Sequence, residues 1–191
     1  MPGRISKLTR TVALCGLTCG ALLVSATAAD ATTATATLSA GSLGFVSAPP
    51  NVSFTDTLNG LNQTATATQA IDVSDATGSG SGWNITGTST TFTSGTHSLS
   101  TGATTIASTP TVACDTGSTC VLASVLTSKA SYPYTLPAAA TAPTATELFD
   151  ANTNTGMGNQ TVTPTWSLAI PANTYAGTYT STWTLSLVSA P

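Results

Sequence analysis

Positive charge is what this chain has least of. Its 191 residues hold four Lys/Arg against seven Asp/Glu. Three of those four, Arg4, Lys7 and Arg10, fall in the first ten positions, which leaves Lys129 facing Asp30, Asp56, Asp72, Asp75, Asp115, Glu147 and Asp150. Nucleic acid is held by neutralising phosphates with several cations, and a grip on anionic lipid needs the same, so neither partner is expected. Histidine is nearly absent too, with His97 the single imidazole. Beyond the first twenty residues only Cys114 and Cys120 remain. A structural zinc site wants about four Cys/His ligands, so no metal and no cofactor are expected. Gly-x-Ser-x-Gly and Cys-x-x-Cys are both missing. No apolar run reaches the roughly 20 residues of a membrane span. Beyond the first segment no stretch repeats apolar residues at three and four, which removes amphipathic helices.

What the chain does have begins with an export signal. Arg4, Lys7 and Arg10 precede an apolar run from Val12 to Val24, and Ala26-Thr27-Ala28 supplies small residues for cleavage. Leu14 and Leu17-Thr18 stand before Cys15 and Cys19, so we read residues 1–28 as a signal peptide rather than a lipid anchor on Cys19. The expected mature chain, 29–191, is of single-domain size. Val188 to Pro191 directly follow a strand pattern, with no apolar tail or sorting signal, so attachment to a surface is expected to be non-covalent.

Charged residues make up 6% of the chain and Ser/Thr about a third. Periodicity separates a glycosylated stalk from a folded β domain. Val162, Pro164, Trp166, Leu168 and Ile170 alternate with hydroxyl residues, and Tyr179, Trp183, Leu185 and Leu187 alternate with Thr180, Thr182, Thr184 and Ser186. Such alternation marks strands with one buried face. Upstream, Leu38 to Val46 and Val52 with Phe54 read as short strands. Asn59-Gly60 signals a hairpin, and Ala65, Ala67, Ile71 and Val73 share one face across Gln69. Thr86 to Thr111 yields only Phe92 and Leu99 as apolar contacts. Val121 to Leu126 is apolar, Pro133 to Thr146 reads as irregular, and Leu148 and Phe149 are expected to pack on the core. The expected fold is an all-β antiparallel sandwich of immunoglobulin-like or Greek-key type.

The candidate sites are few. Cys114 and Cys120 in an exported chain predict a disulfide closing a tight loop. His97 lies among Ser/Thr/Gly and reads as a surface residue, and no pair of carboxylates stands out as a glycosidase pair. Asp72 and Asp75 flank a turn with Gly78, Gly80 and Gly82. They either give oxygens to calcium or cap the turn, and capping is the commoner role. Trp166 and Trp183 sit among aliphatic residues and are expected in the core. Trp83, beside the glycines, fits the core or an exposed sugar-stacking platform equally well.

Asp75-Ala-Thr-Gly78-Ser-Gly-Ser-Gly82-Trp83-Asn-Ile85 resembles the first signature of the WxL-domain surface proteins of Gram-positive bacteria. Gly177-Thr-Tyr179-Thr-Ser-Thr-Trp183-Thr-Leu185-Ser-Leu187-Val-Ser-Ala-Pro191 is similar to the second. Ile85 stands where the family carries leucine. Trp183 falls where an aliphatic residue is usual, and Leu185 where the tryptophan is. The resemblance implies a secreted, non-catalytic β-sandwich at the cell surface. It would associate non-covalently with peptidoglycan or another cell-wall glycan, often beside a companion membrane-anchored surface protein. It also implies that Asp75, Gly82, Trp83, Ile85, Tyr179, Trp183 and Leu185 carry binding. The rival expectations are a structural or adhesive subunit assembling through strand edges, and a wall hydrolase.

Overall fold

The computed structural model describes residues 31–124 and 130–189. The expected signal peptide, Asp30, Val125, Leu126, Lys129 and Pro191 lie outside the described residues. The chain divides into Met1–Thr37 and a compact unit, Leu38–Pro191. Of the first unit, Ala31 to Thr37 are described; they are exposed and carry no strand.

Among the described residues there is no helix. Fourteen strands are described: β1 Leu43–Phe45, β2 Gln63–Thr68, β3 Ile71–Asp75, β4 Trp83–Thr90, β5 Thr93–Ser94, β6 His97–Ser98, β7 Thr104–Ile106, β8 Thr111–Cys114, β9 Tyr134–Thr135, β10 Ala138–Ala139, β11 Thr146–Ala151, β12 Gly158–Thr163, β13 Thr165–Ile170 and β14 Trp183–Ser189. One sheet runs β1-β3-β12-β8 and a second β2-β13-β7-β9. In the third, β4 lies between β14 on one side and β10 with β11 on the other, while β5 and β6 form a separate hairpin. Pairing is antiparallel except between β10 and β4. Ile71, Val73 and Val162 from the first sheet meet Trp166 and Ile106 from the second and Trp83, Ile85 and Phe149 from the third in one apolar core. The protein is an all-β sandwich of packed sheets.

Alternation correctly marks the inward faces but hides where the backbone changes sheet. Ala65 to Val73, expected as one strand, is β2 and β3 joined at a corner. Gln69 there is 5% exposed, donates Nε2 to Pro50 O at 2.7 Å and accepts from Trp166 Nε1 at 3.0 Å. The Val162–Ile170 run breaks in the same way at Pro164, whose missing N–H interrupts any ladder. The two corners are adjacent, since Gln69 N donates to Pro164 O at 3.2 Å. A two-chain ribbon, β2 with β13 and then β3 with β12, thus passes from one sheet into the next.

Other expectations need correcting. Val52 and Phe54 alternate in burial but form no strand, so Asn59-Gly60 makes a turn without closing a hairpin. Leu38–Val46 contributes only β1. Thr86–Thr111 continues β4 and holds β5, β6 and β7, whose threonine-rich sequences lack an apolar stripe. Pro133–Thr146 contains β9 and β10 and buries Leu136, and Val121 and Leu122 are exposed. Leu148 and Phe149 are fully buried in β11.

Candidate functional site

The glycine turn serves Trp83. Asp75, 4% exposed, accepts from Thr77 N at 3.0 Å and Thr77 Oγ1 at 2.7 Å, which starts the turn. Asn154, itself at φ +63°, donates its N–H to Gly80 O at 2.8 Å and clasps the turn from the neighbouring β11–β12 turn. Gly82 has φ +79°, and a Cβ there would lie 2.3 Å from Ala151 O, so a side chain is shut out both by conformation and by space. Trp83 then enters β4 fully buried. Its Nε1 donates to Gly156 O at 2.9 Å, and its ring lies 5.8 Å from Phe149. A Cβ on Gly156 would fall 2.6 Å from that nitrogen. Of the two readings left open above, core is the right one, and Trp83 cannot stack on a sugar. Ile85 is likewise fully buried.

The acids flanking the turn do not converge. Asp72 and Asp75 lie on opposite faces of β3, as their odd separation demands. Thr161 Oγ1 lies 2.9 Å from Asp72 Oδ1 and 2.8 Å from Asp115 Oδ1, so the two carboxylates share its one proton, while Asp75 caps Thr77. No group of three His, Cys, Asp or Glu suited to a metal ion occurs among the described residues. The Cys114–Cys120 disulfide is present, with Cα atoms 5.6 Å apart.

The two stretches that carry the resemblance are neighbouring strands. β4 pairs antiparallel with β14 from Trp183↔Ser89 through Leu187↔Ile85 to Ser189↔Trp83. The tryptophans therefore stand at opposite ends of one strand pair. Trp183, expected in the core, is only half-buried. Its ring is 4.7 Å from Trp166 and 6.3–6.4 Å from Phe92 and Phe54. Leu185 is half-buried on the same face, and Tyr179 lies outside β14 with its hydroxyl donating to Tyr175 O at 3.1 Å.

Two open grooves flank this aromatic cluster and share Val52, Ser53, Phe92 and Tyr179 as a common wall. The first, about 670 Å³, has Phe54, Leu168 and Tyr179 in its apolar lining. Hydroxyl residues and Tyr175 line it too, and Asp56 is the sole carboxylate among its described lining residues. That carboxylate accepts from Gln63 Nε2 at 2.9 Å and Thr57 N at 2.8 Å. Tyr175 is 63% exposed and stacks on His97, with ring centroids 3.9 Å apart and planes 13° from parallel. The second groove, about 690 Å³, runs between Pro49–Ser53 and Tyr179–Leu185 and has no charged residue among its described lining.

Family models, curated proteins and solved structures return no match to this chain.

Of the residues singled out in the sequence, Tyr179, Trp183 and Leu185 line a groove, whereas Asp75, Gly82, Trp83 and Ile85 build the fold. Sequence reasoning gave Tyr175 and Phe54 no binding role. Tyr175 sits among turn residues, Pro171-Ala-Asn-Thr-Tyr-Ala-Gly177, on no alternating face, and that placement is itself a signal of an exposed ring. The interior holds polar groups as well. Burial, then Asp150 and Tyr134, pushes the Tyr132 phenol up, and burial pushes Tyr134 up against its hydrogen bond with Thr146. Both phenols therefore stay protonated at neutral pH.

Proposed function

We propose that this protein is a secreted, non-catalytic surface module that holds a neutral glycan of the cell wall non-covalently, in the groove between Phe54 and Tyr175. The observation that carries the reading is the chemistry of that groove. An exposed tyrosine, apolar side chains and hydroxyl residues line it together, with no Lys or Arg among the described lining residues. A pyranose ring offers an apolar C–H face and an equatorial belt of hydroxyls, which such a lining can match without ion pairing. The resemblance to WxL-domain proteins supports the same ligand class and adds a companion surface protein as a partner. Burial of Trp83 moves the binding role away from the first signature and leaves it a folding role. Hydrolysis is disfavoured because the groove's single carboxylate is tied to Gln63 and Thr57, whereas glycoside hydrolysis uses a carboxylate pair.

Co-sedimentation of purified protein with isolated wall sacculi tests this. Binding is expected without release of soluble sugar or peptide, and Tyr175→Ala is expected to weaken it about tenfold, or about 1.4 kcal/mol. Protein that stays in the supernatant across pH and divalent-ion conditions overturns the reading. Soluble fragments released from the sacculi overturn its non-catalytic part.

A further inference from the structure

We propose that the second groove takes up an extended strand from another copy of this chain, residues Thr33 to Ala40, added to the outer edge of β14. Among the described residues β14 pairs with β4 alone; β1 approaches it without forming a ladder, so the N–H and C=O groups of its other edge stay out of any ladder. Such an edge is a template for strand addition, and proteins usually blunt it with lysine, proline or a bulge. β14, Trp-Thr-Leu-Ser-Leu-Val-Ser, carries neither proline nor charge. The groove opens on the first part of that edge and not on one face alone. Thr182, Trp183, Thr184 and Leu185 all line it, although neighbouring side chains in a strand point to opposite sides. Facing them, Pro49 to Ser53 form the opposite wall without belonging to any sheet.

The occupant is argued from the chain itself. Ala31 to Ala40 are exposed at every position and carry no strand. Yet Thr33, Thr35, Thr37 and Ser39 alternate with Ala34, Ala36, Leu38 and Ala40, the period-two pattern of a strand with one small apolar face. Leu38 is 93% exposed, which leaves an apolar side chain in water with no contact to justify it. The segment is uncharged, as is every described residue lining the groove, so docking desolvates no ion there. The groove reaches that edge at Thr182 to Leu185, so about four residues of the arm would pair there. Gly41, whose N–H donates to Ala76 O at 2.9 Å, fixes the point where the arm leaves its own domain. Main-chain hydrogen bonds would supply the affinity, and the small alanine face would fit over Trp183 and Leu185.

Sedimentation velocity on the expected mature chain, from micromolar to millimolar, tests the proposal. Concentration-dependent self-association is expected. Ala36→Pro, which removes a strand donor, and Leu38→Asp, which charges the apolar face, should each raise the dissociation constant at least about tenfold. Both positions are exposed, so circular dichroism and thermal unfolding should not change. A synthetic peptide of residues 31–40 should dissociate the assembly. Sacculus binding should survive Ala36→Pro, which separates this proposal from the glycan groove. Monomer at every concentration overturns it. So does association that neither substitution weakens, or assembly dispersed by soluble wall glycan and not by the peptide.

Discussion

Trp83 and Trp183 share a local sequence, tryptophan followed two residues later by an aliphatic on the same strand face, and they stand on paired strands. Their environments differ. The Trp83 end is sealed: Phe149 lies across the ring, Gly156 accepts its N–H, and two positive-φ glycines let backbone close over it. The Trp183 end has aromatic neighbours but an open groove beyond them. A strand residue's face says which way the side chain points. Its burial depends on what a distant loop lays over it, and only one of these tryptophans has such a loop.

Substitution should reproduce that contrast. Trp83→Ala is expected to lower stability by about 3–5 kcal/mol, as for a large buried aromatic, and Trp183→Ala by about 1–2 kcal/mol because part of its surface already meets water. Urea unfolding followed by circular dichroism measures both, and equal losses would erase the distinction. The disulfide lies at the Trp83 end, where Gly156 N donates to Val121 O and Val121 N to Met157 O, both at 2.9 Å. Replacing Cys114 and Cys120 by alanine should cost about 2 kcal/mol through loop-closure entropy. It should also raise iodide quenching of Trp83 and leave that of Trp183 unchanged. Quenching that rose equally at both would show that the seal does not depend on this loop. The smallest effect is expected from Trp83→Phe, which keeps a ring and loses the bond to Gly156 O, at about 1 kcal/mol. A loss as large as that of Trp83→Ala would make the hydrogen bond, rather than packing, the basis of the seal.

Much of the fold was legible because alternation reports burial. Odd positions point inward through Ala65–Val73 and even ones through Val162–Ile170, as the pattern predicts. The sheet change at Gln69 and Pro164 was not legible, since alternation continues unbroken round a corner. Val52 and Phe54 show the converse, alternating burial with no ladder beneath it, because side-chain pattern carries no information on backbone pairing. The site was less visible. The acids and glycines around Trp83 drew the eye to a turn that supports the core. The groove is assembled from Val52 to Leu58, Phe92 and Thr174 to Tyr179, which are brought together only by the tertiary fold.

Gln69 holds Pro50 with its amide nitrogen and Trp166 with its amide oxygen. Pro50 belongs to one wall of the second groove, and Trp166 is the ring on which Trp183 of the other wall rests. The spacing of the two walls is therefore gauged by a single carboxamide, and neither end can be exchanged. Glutamate at this position would present no donor to Pro50, leucine would satisfy neither partner, and asparagine would be one methylene short of spanning both. Sequence drift could alter much of the hydroxyl-rich surface while this residue stayed fixed, for a reason that lies in the width of a groove it only borders.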